Sequence, residues 1–249
     1  MRYPAAVVFD LDGTLVDTAV DLHLVLGELM TEEALPTPPL ESIRAMVGDG
    51  AKALLERAFA AAGVAPGPER LDRLYARFLE RYTEQPCRGS TLYPGAAEVL
   101  ASLADSGCAL GLCTNKPQRP SELLLEALGV LHRFGAVVGG DVLPVRKPDP
   151  AHLAATLDRL GATPATSSVM VGDSRNDALT ARALGVPCVL VNFGYTTVPA
   201  RELGADAVID RLDELPAALA GLWSARLDTR GAAQYIPPSL DPTGRLAQR

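Results

Sequence analysis

Short apolar runs alternate with longer helical patterns along most of the chain. The runs are rich in valine and alanine and occupy residues 5–9, 109–113, 136–138, 168–171, 188–191 and 207–209. Between them, apolar residues recur at helical spacing over residues 96–106, 121–128, 151–160 and 177–184. A glycine suited to ending a helix follows each of these four segments. Strands that alternate with helices predict an α/β fold in which helices cover a parallel sheet.

Residues 17–90 interrupt this alternation, because they contain no convincing strand and far exceed a loop of about 2–6 residues. Three apolar stripes with helical spacing lie within them: Leu22, Val25, Leu26 and Leu29; Leu54, Leu55, Ala58 and Phe59; and Leu71, Leu74, Tyr75, Phe78, Leu79 and Tyr82. We therefore predict a helical domain over residues 17–90, inserted into a core formed by residues 1–16 and 91–223. Residues 224–249 lack periodicity, which predicts a flexible or extended tail.

Composition and charge exclude several classes of protein. With 48% hydrophobic and 21% charged residues, the chain can bury a sizeable core and is not globally disordered. The formal net charge of −7 disfavours nucleic acid as a partner, and no apolar run reaches the roughly 18 residues of a membrane helix. Four cysteines without a CxxC pair do not indicate a disulfide scaffold. These features predict a soluble cytoplasmic protein that binds neither nucleic acid nor membrane.

Polar residues suited to phosphate chemistry follow four of the predicted core strands. In strand order they are Asp10 and Asp12, then Thr114 and Asn115, then Lys147, and finally Asp173 and Asp177. The carboxyl ends of parallel strands meet at one edge of a sheet, so these side chains are expected to lie together. Carboxylates there can hold Mg²⁺ with a substrate phosphate, and a lysine supplies a fixed positive charge.

These segments together resemble the motifs of the haloacid dehalogenase-like hydrolases. The resemblance covers residues 5 to about 219 and rests on Asp10-Leu11-Asp12-Gly13-Thr14, Thr114-Asn115, Lys147, and Gly172-Asp173 through Asp177. It implies a Rossmann-like parallel-sheet core with an inserted helical cap domain of the first cap type. Within the family, the chain is most similar to the phosphoglycolate phosphatases, through residues 9–17, 46–51 and 113–117.

The resemblance implies a catalytic role for Asp10, Asp12, Thr114 and Lys147 and a substrate-binding role for Asn115. Asp10 would attack phosphorus and form an aspartyl-phosphate. Asp12 would protonate the departing alkoxide and then take a proton from the attacking water. Thr114, Asn115 and Lys147 would hold the oxygens of the transferring phosphoryl group.

The resemblance also implies a Mg²⁺ cofactor. The carboxylates of Asp10 and Asp173 and the main-chain carbonyl of Asp12 would bind the ion. Asp177 would support this metal site through water or hydrogen bonds. The acid at Asp12 favours a phosphatase or phosphomutase, since dehalogenases of the family lack it and ion pumps of the family carry threonine there.

The predicted cap contains a candidate ligand loop, Gly48-Asp49-Gly50, followed by Ala51 and Lys52. The loop matches a loose dinucleotide-binding pattern, but such a fingerprint follows a strand and residues 41–47 look helical. We instead predict that Gly48 and Gly50 let the backbone approach a small anionic ligand. The N-terminus of the next helix and Lys52 would lie beside that anion.

The remaining candidate groups are not expected to carry chemistry. His23, His132 and His152 lack the spacing of metal ligands and are expected to be surface or capping residues. Cys113 lies on a predicted buried strand and is expected to be a packing residue.

The sequence therefore favours a Mg²⁺-dependent phosphatase for a small phosphorylated anionic substrate, with 2-phosphoglycolate preferred. A pyrophosphatase or a phosphatase for another small metabolite would share the same core. A sugar phosphomutase would need cap groups that recognise a hexose, and no such set is evident. A non-catalytic phosphate-binding protein is disfavoured because both Asp10 and Asp12 are intact. The oligomeric state stays open between monomer and homodimer.

Overall fold

The computed structural model of the protein describes residues 3–163 and 167–232. The strands are β1 (Ala6–Phe9), β2 (Val16–Asp17), β3 (Thr91–Leu92), β4 (Ala109–Cys113), β5 (Ala136–Val138), β6 (Ser168–Gly172), β7 (Cys188–Val191) and β8 (Ala207–Ile209). The α-helices are α1 (Ala19–Glu32), α2 (Leu40–Arg44), α3 (Ala51–Ala61), α4 (Pro68–Glu84), α5 (Ala96–Asp105), α6 (Gln118–Ala127), α7 (Pro150–Arg159), α8 (Arg175–Leu184) and α9 (Leu215–Ala232). The six strands predicted from apolar runs are confirmed, with ends that differ by at most a residue.

Strand β1 lies inside a six-stranded parallel sheet with the order β5-β4-β1-β6-β7-β8. Phe9 at the end of β1 is opposite Leu112 of β4 on one side and Val171 of β6 on the other. The direction of chain progression reverses between β1 and β6, and ligands of open α/β sheets bind at such a switch point. The predicted Rossmann-like α/β fold is confirmed, and the residues after β1 and β6 meet at this crevice.

Both faces of the sheet are buried, as expected when helices cover a parallel sheet. Phe9 faces an apolar cluster that includes Leu100 of α5, whereas Val8 faces a second cluster with Leu153 of α7 and Ala181 of α8. Successive side chains of β1 therefore pack on opposite faces of the sheet. Because both faces are buried, every residue of the strand is apolar.

Helices α1–α4, which we call the cap, have an apolar core of their own. The three predicted stripes supply most of it, and its fully buried members include Leu26, Leu55, Phe59, Phe78 and Tyr82. Strands β2 and β3 pair antiparallel where the chain passes between the sheet and the cap. This short ribbon was not predicted, because strands of two residues show no detectable alternation.

Helix α9 corrects the expectation for the end of the chain. A flexible or extended tail from residue 224 is wrong for residues 224–232, since α9 continues to Ala232. After Trp223 the first proline is Pro237, and the alanine, arginine and leucine residues before it favour a helix. The rest of the expected tail, residues 233–249, lies outside the described residues. Within the described ranges, no helix combines the length and apolarity needed to cross a membrane.

Candidate active site

Asp10 follows β1 directly and lies at the crevice between β1 and β6. Its N–H donates to the carbonyl of Val171 at 2.9 Å and so continues the sheet pairing. Oδ1 accepts from the N–H of Leu11 at 2.7 Å and lies 2.9 Å from Nζ of Lys147. Burial raises the pKa of Asp10 to about 6, although the charge of Lys147 acts in the opposite direction. Among the described residues no donor contacts Oδ2, so this oxygen is available to a reacting group.

Lys147 bridges Asp10 and a second buried carboxylate, that of Asp177. Its Nζ lies 2.7 Å from Oδ1 of Asp177, and its side chain is 1% exposed. Asp177 is the third residue of α8, where Oδ2 accepts from the N–H and the hydroxyl of Ser174 at 3.0 and 2.7 Å in a capping box. Burial lowers the pKa of Lys147, but the two carboxylates outweigh it and hold that pKa above its usual value. Lys147 is therefore a fixed cation.

Asp173 follows β6 and completes an acidic cluster. Its Oδ2 accepts from the N–H of Tyr195 at 2.7 Å, and its Oδ1 accepts from the hydroxyl of Thr14 at 3.4 Å. Burial, reinforced by the charges of Asp177 and Asp10, raises the pKa of Asp173 well above its usual value. One oxygen from each of the three aspartates lies within 4.8 Å of the other two. Three carboxylates beside one lysine leave excess negative charge, and this all-oxygen set suits Mg²⁺.

Thr114 and Asn115 follow β4, as predicted, but they make different kinds of contact. The hydroxyl of Thr114 accepts from the N–H of Lys116 at 3.2 Å, which leaves its own hydrogen for a ligand. Nδ2 of Asn115 donates to the carbonyls of Gly48 at 2.8 Å and Lys147 at 3.0 Å. Both hydrogens of this amide are used within the protein, so the structure does not offer them to a phosphoryl oxygen. The amide of Asn115 therefore joins the core to the cap, and its contact with a phosphoryl oxygen stays a prediction.

The cap meets the core through the predicted glycine loop. The carbonyl of Gly48 accepts from Asn115 and also from Nδ2 of Asn176 at 3.2 Å, and the same Nδ2 donates to Asp49 at 2.8 Å. Gly50 has a φ of +85°, and a Cβ there would lie 3.1 Å from the main-chain oxygen of Asn115. Gly48 and Gly50 therefore let the cap backbone lie close to the core, and both residues also line the cavity.

A cavity of about 40 Å³, counted as space open to the centres of water molecules, lies between cap and core. Asp10, Asp12 and Thr114 line its core side, and the start of α3 lines its cap side. The cavity can hold water-sized groups beside Asp10 and Asp12. Lys52 does not line it. The first turn of α3 instead places Lys52 Nζ 2.5 Å from Asp72, so its predicted place beside the substrate is corrected.

Comparisons with known proteins identify the family. A family model described as haloacid dehalogenase-like hydrolase matches residues 7–191. The chain belongs to this family. It is 47% identical over 214 residues to the phosphoglycolate phosphatase of Caulobacter vibrioides, covering 86% of this chain and 90% of that one. It is 46% identical over 211 residues to the phosphoglycolate phosphatase of Rhodospirillum rubrum, covering 83% and 87%.

A solved structure supports the same relationship. The predicted phosphoglycolate phosphatase of Haemophilus somnus has a TM-score of 0.81 and 30% identity, with coverage of 88% of this chain and 99% of that one. The predicted family resemblance is confirmed by these matches. As a haloacid dehalogenase-like hydrolase with these relatives, the protein is a phosphoric monoester hydrolase.

Lys116 of this hydrolase lines the cavity, although its sequence position predicted no role for it. Its Nζ lies 3.3 Å from Oδ1 of Asp12 and 4.1 Å from the centroid of the Tyr82 ring in α4. Burial lowers the pKa of Lys116, but the nearby charge of Asp12 outweighs it and raises that pKa overall. The one available signal was its place directly after Thr114-Asn115, at the same strand end.

His152 of this hydrolase is fully buried, contrary to the expected surface or capping position. Its Nδ1 accepts from the N–H of Lys147 at 3.2 Å, so the ring proton is on Nε2, which donates to the carbonyl of Gly139 at 3.1 Å. Burial, followed by the charge of Lys147, lowers the pKa of His152 to about 4. The neutral ring therefore supports the main chain of Lys147. Burial raises the pKa of Cys113 to about 12, which fits a packing residue.

Proposed function

We propose that this hydrolase is a Mg²⁺-dependent phosphatase that converts 2-phosphoglycolate to glycolate and phosphate. The proposal rests on one observation, the cavity between cap and core that is lined by Asp10 and Asp12 next to the buried carboxylate cluster. The phosphoglycolate phosphatases of Caulobacter vibrioides and Rhodospirillum rubrum, at 47% and 46% identity, support this choice of substrate.

Asp10 is the proposed nucleophile. A carboxylate oxygen of Asp10 forms a bond to phosphorus while the bond from phosphorus to the glycolate oxygen breaks, which leaves an aspartyl-phosphate. Lys147 and the N–H of Leu11 hold Oδ1, so the carboxylate cannot rotate freely and Oδ2 is the attacking atom. Water then attacks the aspartyl-phosphate at phosphorus and regenerates Asp10 with release of phosphate.

Two core residues stabilise the transferring phosphoryl group. The ammonium of Lys147 has three hydrogens, of which Asp10 and Asp177 take two. The third hydrogen can bond a phosphoryl oxygen beside Asp10. The hydroxyl hydrogen of Thr114 supplies a second donor at the end of β4. Donors that are fixed before the reaction stabilise developing charge without reorganisation.

Asp12 is the proposed acid and base. Asp12 lines the same cavity as Asp10. In the first step it gives a proton to the departing glycolate oxygen, and in the second it takes one from the attacking water. Apolar cap side chains such as Leu22, Leu54 and Phe78 line the same cavity and exclude bulk water from it.

The acidic cluster fits a magnesium ion. Asp10, Asp173 and the main-chain carbonyl of Asp12 would hold it, and the bound ion would neutralise negative charge on the phosphoryl group. Both oxygens of Asp177 already accept hydrogen bonds, from Lys147 and Ser174. Asp177 therefore supports the metal site through hydrogen bonds.

The substrate assignment can be tested by steady-state kinetics of the purified protein. We expect kcat/KM for 2-phosphoglycolate to exceed that for pyrophosphate, glucose 6-phosphate and p-nitrophenyl phosphate by about tenfold or more, a difference of about 1.4 kcal/mol in transition-state binding. The Asp10→Asn variant, purified in parallel, measures hydrolysis by contaminating phosphatases. A higher value for pyrophosphate or for glucose 6-phosphate would overturn the assignment.

A further inference from the structure

Lys116 is the only cation among the described residues that line the cavity between cap and core. The chain has two other lysines, and both are engaged elsewhere. Lys147 is held by Asp10 and Asp177, and Lys52 pairs with Asp72 on the outer side of the cap. A ligand in this cavity that carries a negative group besides its phosphate can therefore pair that group with only one lining side chain, that of Lys116.

The protein encloses the ammonium of Lys116 without saturating it. Its side chain is 5% exposed, and the ring of Tyr82 covers Nζ from the cap. The 3.3 Å separation from Oδ1 of Asp12 is longer than the roughly 2.7–2.9 Å of a strong charge-assisted hydrogen bond. An ammonium group has three donors, so capacity remains for a further acceptor.

The position of Asp12 determines what Lys116 can contact. A general acid must come within hydrogen-bond distance of the leaving oxygen, and Lys116 lies against the same carboxylate. Atoms attached to the leaving oxygen must therefore lie close to Nζ. Leu22, Leu54 and Phe78 make much of the surrounding wall apolar, and an anion enclosed there is costly unless it is paired.

We propose that Lys116 is a specificity-determining residue that binds the carboxylate of the leaving group and so selects phosphate esters of short hydroxy acids. The inference rests on the proposed function for the identity of the leaving group. Because Lys116 belongs to the core and Tyr82 to the cap, this binding site is complete only when cap and core are in contact.

A matched pair of substrates tests the inference. 2-Phosphoglycolate and 2-phosphoglycolamide have nearly the same shape, but the leaving group of the amide carries no charge. For Lys116→Met, we expect kcat/KM to fall by about 10- to 150-fold on phosphoglycolate, the range for a hydrogen bond to a charged group. On the amide we expect a change below about threefold. Lys116→Arg, which retains the charge, should keep part of the preference.

Controls separate the inference from the proposed function. Lys52→Met removes the lysine of the cap, which does not line the cavity, and should leave kcat/KM unchanged on both substrates. If Lys116→Met melts below the assay temperature, Lys116→Gln is measured in its place. Equal losses on both substrates would overturn the inference, because Lys116 would then only position Asp12, while the proposed function would stand. A wild-type protein without preference for phosphoglycolate over its amide would overturn both.

Discussion

The hydroxyl of Tyr195 donates a 2.7 Å hydrogen bond to Oδ1 of Asp17, where the chain leaves the sheet for the cap. The same hydroxyl accepts from the N–H groups of Thr18 at 2.7 Å and Ala19 at 3.0 Å. The main-chain N–H of Tyr195 meanwhile donates to Asp173. Tyr195, in the loop after β7, therefore joins the start of α1 to the acidic cluster.

Tyr195→Phe should destabilise the protein through this contact. The substitution keeps the ring but leaves the buried N–H of Thr18 without an acceptor, which costs about 1–3 kcal/mol. Urea denaturation measures the free energy of unfolding. Tyr75→Phe is the matched control, because Tyr75 is half-buried in the cap and its hydroxyl has no recorded partner among the described residues. Similar losses in the two variants would contradict the role of Tyr195.

Asp10→Asn should abolish hydrolysis and leave the fold intact. Asparagine has the same volume and can still accept from the N–H of Leu11, while Lys147 keeps Asp177 as a partner. Loss of a nucleophile lowers kcat by about 10³-fold or more. Acid quenching of the wild-type reaction should trap a phosphorylated protein that the variant never forms. Near-full activity of a folded variant would exclude covalent catalysis at Asp10.

Chelation should abolish turnover, and Mg²⁺ should restore it. Asp10, Asp173 and a dianionic substrate repel one another unless a cation lies between them. Ca²⁺, which is larger and more loosely coordinated, is expected to occupy the site and inhibit. Chelator already saturated with Mg²⁺ is the control for direct effects of the reagent. Undiminished activity in excess chelator would remove the metal from the mechanism.

Asn115→Ala should impair catalysis more than Asn176→Ala. Both variants lose a hydrogen bond to the carbonyl of Gly48, but only the first also releases the carbonyl of Lys147. For Asn115→Ala we expect a loss of about 1–3 kcal/mol in kcat/KM, the usual cost of an unsatisfied buried group. Equal losses of kcat/KM in the two variants would show that the hydrogen bond from Asn115 to the carbonyl of Lys147 does not contribute to catalysis.

The neutral state of His152 predicts a pH dependence of stability. The pKa of His152 is about 4 in the folded protein, against about 6.5 for an exposed histidine. As the pH falls below 6.5, the unfolded chain gains a proton at His152 and the folded protein does not, so stability from this group is complete above pH 6.5 and is lost toward pH 4. Between pH 7.5 and 5, the wild type should lose about 2 kcal/mol more than His152→Gln. The free energy of unfolding in urea, measured across this pH range, checks the prediction. An equal loss in the wild type and in His152→Gln would contradict it.

The sequence by itself determined the six strands of the parallel sheet, most of the helices and the location of the acidic cluster. Buried parallel strands need apolar side chains on both faces, so each one is visible as a continuous run. Because parallel strands end at one edge, the motif residues after β1 and β6 had to meet there. The sequence alone therefore predicts that Asp10 and Asp173 lie together.

Only the tertiary structure decided what the individual polar side chains contact. Lys52 and Lys116 are both lysines near the cap, yet packing of α3 on α4 directs the first to Asp72, and Tyr82 encloses the second beside Asp12. His152 is buried because α7 packs on β4 and β5. A long polar side chain reaches partners on several elements, and its partner depends on which elements lie together in space. Local sequence does not encode that arrangement.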